Sequence, residues 1–131
     1  MKLDLKQTIL VAIYTEYQKD LPEMNNITKE MFEIDDKKFT IALQKLENEQ
    51  LIHNVHFMKF DDGIFTHSQS LTNTMMTNDG IDYIENVLGI QPTLSGAEKA
   101  KAVASKVGEW GFEQLKDFAV KVAGEMLKVN F

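Results

Sequence analysis

The stretch that decides the fold runs from Asp35 to Thr66 and reads DDKKFTIALQKLENEQLIHNVHFMKFDDGIFT. Asp35 is a favoured helix N-cap residue, and apolar residues follow it at helical spacing. The run from Val55 to Phe60 is β-branched and aromatic enough for a strand, and Asp62-Gly63 is a strong hairpin signal. The stretch therefore predicts a helix over residues 35–50 that leads directly into a β-hairpin.

Two helical segments precede this stretch. Asp4 and Gln7 have the spacing of a capping box, and the first helix should end before Pro22. Thr28 is predicted to be the N-cap of a second, short helix. Apolar residues on either side of the second and third caps have the spacing of hydrophobic staples: Ile27 with Phe32, and Ile34 with Phe39. Two short helices joined by a turn indicate a helix-turn-helix.

The segments after the hairpin predict a loop and two further helices. The polar run 68–74 predicts a loop, and Thr77 caps a helix that Gly89 ends. Residues 90–94 form a linker, and the Ser95–Glu98 capping box opens one long helical pattern that reaches about Val129. The glycines over 108–111 favour a kink in it. The predicted organisation is a domain over 1–89, a linker over 90–94 and a helix over 95–131.

The order of these elements predicts an α+β fold that is mostly α. It is a winged helix-turn-helix with a small β-hairpin wing, plus a long C-terminal amphipathic helix. The run Phe39-x3-Leu43-x2-Leu46-x4-Leu51-Ile52, with Val55-His56 after it, resembles the small YjcQ-like winged-helix proteins of Gram-positive bacteria and their phages. The resemblance covers residues 1–88. It implies the winged-helix fold and a phage or prophage setting.

Charge and composition limit the classes of function. The net charge is −6, and all fourteen basic residues are lysines. Arginine makes the commonest specific base contact in DNA, so its absence disfavours a DNA reader. There is no cysteine, which excludes disulfides and thiolate metal sites and fits a cytoplasmic protein. No apolar run is long enough to span a bilayer, so no membrane partner is expected, and no cofactor is indicated.

DNA binding is one interpretation of the helix over 35–50. By analogy with winged helices, this helix would enter the major groove. The side chains predicted to contact DNA are polar or basic: Lys37, Lys38, Thr40, Gln44, Lys45 and Lys59, with Lys29 as a further phosphate contact. The acidic wing tip at Asp61-Asp62-Gly63 opposes this interpretation, because it repels phosphate.

Protein–protein contact is the competing interpretation, and it rests on the C-terminal helix. Its apolar and small residues form a stripe that is predicted to mediate homodimerisation: Ala104, Val107, Gly111, Leu115, Phe118, Val122 and Met126. The same stripe is also consistent with packing inside one chain. Membrane-surface binding through Trp110, Phe112 and Phe118 is disfavoured, because acids interleave with the lysines of this helix.

No catalytic constellation is present. His53, His56 and His67 with Asp61 or Asp62 are the nearest approach to a metal site, but His53 and His56 would point to opposite faces of a strand. The sequence therefore predicts a non-enzymatic winged-helix regulatory protein that acts by protein contacts and self-association. A DNA-binding transcriptional regulator that uses the helix over 35–50 is the alternative.

Overall fold

The computed structural model describes residues 3–59 and 65–128, with side chains over 3–58 and 69–128. The fold is mostly helical, with a small antiparallel hairpin as predicted. In chain order its elements are α1 (Leu5–Tyr17), two 3-10 turns (Met24–Asn26 and Lys29–Phe32), α2 (Asp36–Asn48), β1 (Ile52–His53), β2 (His56–Lys59), β3 (Phe65–Ser70), β4 (Met75–Met76), α3 (Asn78–Leu88), α4 (Gly96–Glu109) and α5 (Glu113–Leu127).

The hairpin is built from two short antiparallel ladders, β1 with β4 and β2 with β3. The prediction of a strand before the wing tip is confirmed, while Asp62-Gly63 lies outside the described residues. The prediction of a loop over 68–74 is wrong for residues 68–70 and confirmed for residues 71–74, which form a turn. The return strand continues to Ser70, and β4 follows it. Backbone pairing across an antiparallel ladder does not require apolar side chains on both faces, so the polar run still forms a strand.

Helix α1, and not the stretch 35–66, is the centre of the molecule. Every residue from Ile9 to Glu16 is buried. The other four helices and β4 all contact α1. A helix that is buried on every side needs an environment that covers it completely. Covering α1 is therefore the common role of α2, α3 and the C-terminal helices.

The predicted helix start signals are confirmed with a capping hydrogen bond at four places, and at a fifth the short helix begins without one. Asp4, Asp35, Thr77 and Ser95 each accept a hydrogen bond from the backbone N–H three residues later. Thr28 occupies the N-cap position of the predicted short second helix but makes no such side-chain bond, and that helix is the single 3-10 turn Lys29–Phe32. The third cap follows within seven residues, so the chain has no length for a full α-helix there.

The C-terminal stretch is helical as predicted, but it forms two helices and not one long helix, because the chain reverses at Gly111. This residue has φ of +84°, a conformation that side chains disfavour. Helix α5 then returns along α4, which brings Ala100 against Val122 and Ala123. Both helices also join the main core through Val107, Leu115 and other residues. The reversal turns the apolar stripe inward, so it covers α1 and the facing helix.

Two polar networks connect the C-terminal helices to α1. The Tyr14 hydroxyl donates to Glu85 Oε2 at 2.8 Å, and Lys99 Nζ lies 2.7 Å from the same oxygen. Burial, followed by this hydrogen bond to Glu85, raises the pKa of Tyr14. Since these residues belong to α1, α3 and α4, the first network holds three helices together.

The second network is centred on Lys19, which follows α1. Its Nζ lies 2.9 Å from Glu16 Oε2 and 3.0 Å from Glu125 Oε2. Burial alone lowers the pKa of Lys19, but the hydrogen bonds to both carboxylates outweigh it and raise the pKa. Glu16 Oε2 also accepts the backbone N–H of Glu23 at 2.9 Å. This network joins the end of α1 to the end of α5.

Candidate functional site

The outward face of α2 is the candidate site. Successive residues of an α-helix are about 100° apart, which places Lys37, Lys38, Ile41 and Lys45 on one side. All four are exposed, whereas Phe39, Leu43 and Leu46 on the opposite side are buried. In the described part of the chain, none of these three lysines forms an ion pair. We call the four exposed residues the lysine face.

The acidic residues of α2 and its flanks have partners other than the three lysines' ammonium groups. Asp35 accepts the backbone N–H of Lys38 as the N-cap, and Asp36 lies 3.0 Å from Lys29 Nζ. Glu47 accepts the backbone N–H of Val55 at 2.7 Å, and Glu49 pairs with Lys6. The side-chain hydrogen bonds to Glu49 and Asp36 raise the pKa of Lys6 and Lys29, respectively. The charge that flanks α2 in the sequence is therefore largely compensated.

One predicted DNA contact is wrong and others are engaged or undescribed. Thr40 is fully buried, and its hydroxyl donates to Gln69 Oε1 at 2.6 Å, because this side of α2 packs against β3. Gln44 is partly buried, and Lys29 is paired with Asp36. The side chain of Lys59, like Asp61 and Asp62, lies outside the described residues. Of the predicted DNA contacts, Lys37, Lys38 and Lys45 on the lysine face are the exposed and unpaired ones among the described side chains.

A groove lies beside the lysine face, between the first turn of α1 and the length of α2. Its volume is about 560 Å³. Leu5, Ile41 and Ala42 contribute its apolar surface, and four lysines border it: Lys6, Lys37, Lys38 and Lys45. Neither Leu5 nor Ile41 is among the functional residues predicted from the sequence. The available signal was an isoleucine among the lysines on the otherwise polar face of an amphipathic helix.

The residues predicted to mediate dimerisation lie mainly inside the chain. Val107, Leu115 and Val122 are buried, as is Ala104, while Phe118 and Met126 are partly buried and Gly111 is exposed at the reversal. Their burial supports the alternative that the stripe packs intramolecularly. Homodimerisation stays a prediction, and it needs a surface other than the four buried residues.

The structure places two of the three histidines considered as metal ligands, and it includes the helices considered for membrane binding. His53 and His56 are both exposed and lie on different strands, while the side chain of His67 is not described. Over residues 3–59 and 65–128, no group of three or more His, Cys, Asp or Glu is placed to hold a metal ion. Across the same residues, no helix combines the length and the apolar character needed to cross a membrane.

Comparison with known families identifies the family of this chain. The sequence model of the family described as YjcQ protein matches residues 7–102, well over half of the chain. The chain belongs to the YjcQ family. The match runs from α1 into the first half of α4 and includes Tyr14, Glu85 and Lys99, which form the first network. No curated protein and no solved structure matches the chain. Membership of the YjcQ family suggests a small regulatory-type protein.

Proposed function

We propose that this protein is a DNA-binding regulator that places the lysine face of α2 in the major groove. The observation that carries the proposal is that the face presents three exposed lysines that form no ion pair within the described residues. Lys37 and Lys45 are eight residues apart, which is about 12 Å along a helix and close to the width of the groove. The element order supports the proposal as well, because winged helices use the corresponding helix for this purpose.

The net charge of −6 does not prevent such binding, because charge acts locally. At physiological ionic strength, exposed charges are screened over about 8 Å. The acids of α3, at Asp79 and Asp82, belong to a different element from the lysine face. With lysines and no arginine, we expect contacts mainly to phosphate, and therefore a strong salt dependence with modest sequence preference.

The experiment is a salt titration of binding to a labelled duplex of mixed sequence, measured by fluorescence anisotropy. Each phosphate contact contributes about −0.9 to the slope of log K against log salt. The Lys37→Gln/Lys38→Gln variant should therefore flatten the slope by about two and weaken binding. The matched control is Lys116→Gln/Lys121→Gln on α5, which removes the same charge from another helix. An equal loss in both variants, or no loss in the first, would refute the role of α2.

The remaining features of the proposal concern chemistry and setting. We infer that the protein acts by binding and not by catalysis, because its sequence offers no catalytic constellation. A cytoplasmic location is supported by the absence of cysteine. A phage or prophage setting rests on the family resemblance alone.

A protein-binding regulator is the second candidate function. The burial of the apolar stripe removes the original support for it, namely an exposed C-terminal helix. The groove beside α2 supplies new support, because it offers an apolar surface that DNA would not use.

A further inference from the structure

The groove between α1 and α2 combines an apolar floor with a cationic rim. Ile41 stands 37% exposed on the lysine face, next to Leu5 and Ala42. An aliphatic side chain adds nothing to phosphate binding, so its position points to a second kind of ligand. The alkyl stems of the bordering lysines extend the apolar surface, while their ammonium groups stay in water.

The charges that line the groove favour an acidic ligand. Lys6 is paired with Glu49, so the three unpaired ammonium groups of Lys37, Lys38 and Lys45 face two carboxylates, those of Asp4 and Asp35. Both carboxylates are N-caps and accept backbone N–H groups, which leaves them less available to repel a ligand. On the other side of the first turn of α1, a groove shared with α5 is lined by Asp4, Glu33 and Glu113 and by no lysine. Two grooves that share one turn thus differ in the sign of their charge.

We propose that the groove between α1 and α2 binds an acidic amphipathic helix of a protein partner. The apolar stripe of that helix would cover Leu5 and Ile41, as in other helix-in-groove complexes. Its carboxylates would pair with Lys37 or Lys38 at one end and Lys45 at the other, about two helical turns apart. Because these lysines are also the proposed DNA contacts, partner and DNA exclude each other. That regulatory consequence rests on the proposed function, whereas binding in the groove does not.

The probe is a fluorescein-labelled helical peptide of about 18 residues with leucines at positions i, i+4 and i+7 and glutamates beside them. A second peptide has the same composition with the leucine stripe scrambled. The full-length protein, Ile41→Ser and Ile41→Leu are titrated against both peptides and against the DNA duplex. Val120→Ser is the matched control, since Val120 is 53% exposed on the outer face of α5.

We expect saturable binding of the first peptide only, weakened about tenfold by Ile41→Ser and retained by Ile41→Leu and Val120→Ser. The peptide should displace the duplex. Equal binding of the scrambled peptide, or indifference to Ile41→Ser, would overturn the proposal. If the peptide binds and the duplex does not, the groove proposal stands and the DNA proposal fails. If the duplex binds and the peptide does not, the DNA proposal stands and the groove proposal fails.

Discussion

Replacing Lys99 with methionine tests whether the C-terminal helices are part of the core. Lys99 Nζ lies 2.7 Å from Glu85 Oε2, and the two side chains are only 14% and 5% exposed. Removing one member of a buried ion pair typically costs about 3–5 kcal/mol, because the other charge stays buried without its partner. Glu85 keeps the Tyr14 hydroxyl as a donor. We therefore expect the free energy of unfolding to fall by about 3 kcal/mol, the lower end of that range.

The assay is urea unfolding at neutral pH, followed by circular dichroism, with comparison of midpoints at an unchanged m-value. The control is Lys101→Met on the same helix, where an exposed lysine should change stability by no more than about 0.5 kcal/mol. In the double variant Glu85→Gln/Lys99→Met the losses should be clearly less than additive. A loss below about 1 kcal/mol for Lys99→Met would place the pair at the solvent surface. The docking of α4 on α1 and α3 would then be refuted.

Three further predictions concern the same core. Deleting residues 96–131 should abolish cooperative thermal unfolding, because it uncovers α1; a truncated chain that still unfolds cooperatively would instead support the predicted independent domain over 1–89. Above pH 10, the free energy of unfolding should fall more steeply with pH in the wild-type protein than in Tyr14→Phe, by about 1.4 kcal/mol per pH unit. The reason is that the tyrosine of the unfolded chain loses its proton, whereas the buried Tyr14, with its raised pKa, keeps it. Parallel urea midpoints for the two proteins between pH 9 and 11 would contradict this. Gly80→Ala should lower the free energy of unfolding by about 2 kcal/mol or more, because the added Cβ would lie 2.1 Å from the Leu51 carbonyl oxygen. Gly124→Ala has open space around the added Cβ and should raise the free energy of unfolding by up to about 1 kcal/mol in the same urea assay.

The elements that follow from local chemistry were predictable from the sequence. Asp35 and Thr77 cap their helices because a side-chain oxygen three residues before a free N–H is a local arrangement. The family resemblance rested on core positions such as Phe39 and Leu43, and it is confirmed.

What depended on long-range packing was not predictable. The apolar stripe of the C-terminal helices has the same spacing whether it faces a second copy or α1. Gly111 gave only a weak signal, since a glycine in a helical pattern predicts a kink as readily as a reversal. Thr40 shares its sequence character with exposed neighbours, and only the position of β3 explains its burial.

The candidate site was predictable from the sequence only where it depends on the local periodicity of α2. Lys37, Lys38 and Lys45 follow from the periodicity of α2, which separates a polar face from an apolar one. The groove requires α1 to lie alongside α2, and its floor joins Leu5 to Ile41 across more than thirty residues of sequence. No local pattern contains that information.

Because the other helices enclose α1, it becomes covered only late in synthesis of the chain. Lys19 and Glu125 meet across 106 positions of sequence, so α1, which is synthesised before α5, cannot be fully covered until α5 has left the ribosome. Until then the nascent chain exposes the apolar residues from Ile9 to Ile13, and such surfaces attract chaperones and promote aggregation. Contacts of such long range also slow folding, because a large loop must close before they form. A ribosome stalled before α5 should therefore carry a chain that is sensitive to protease throughout α1.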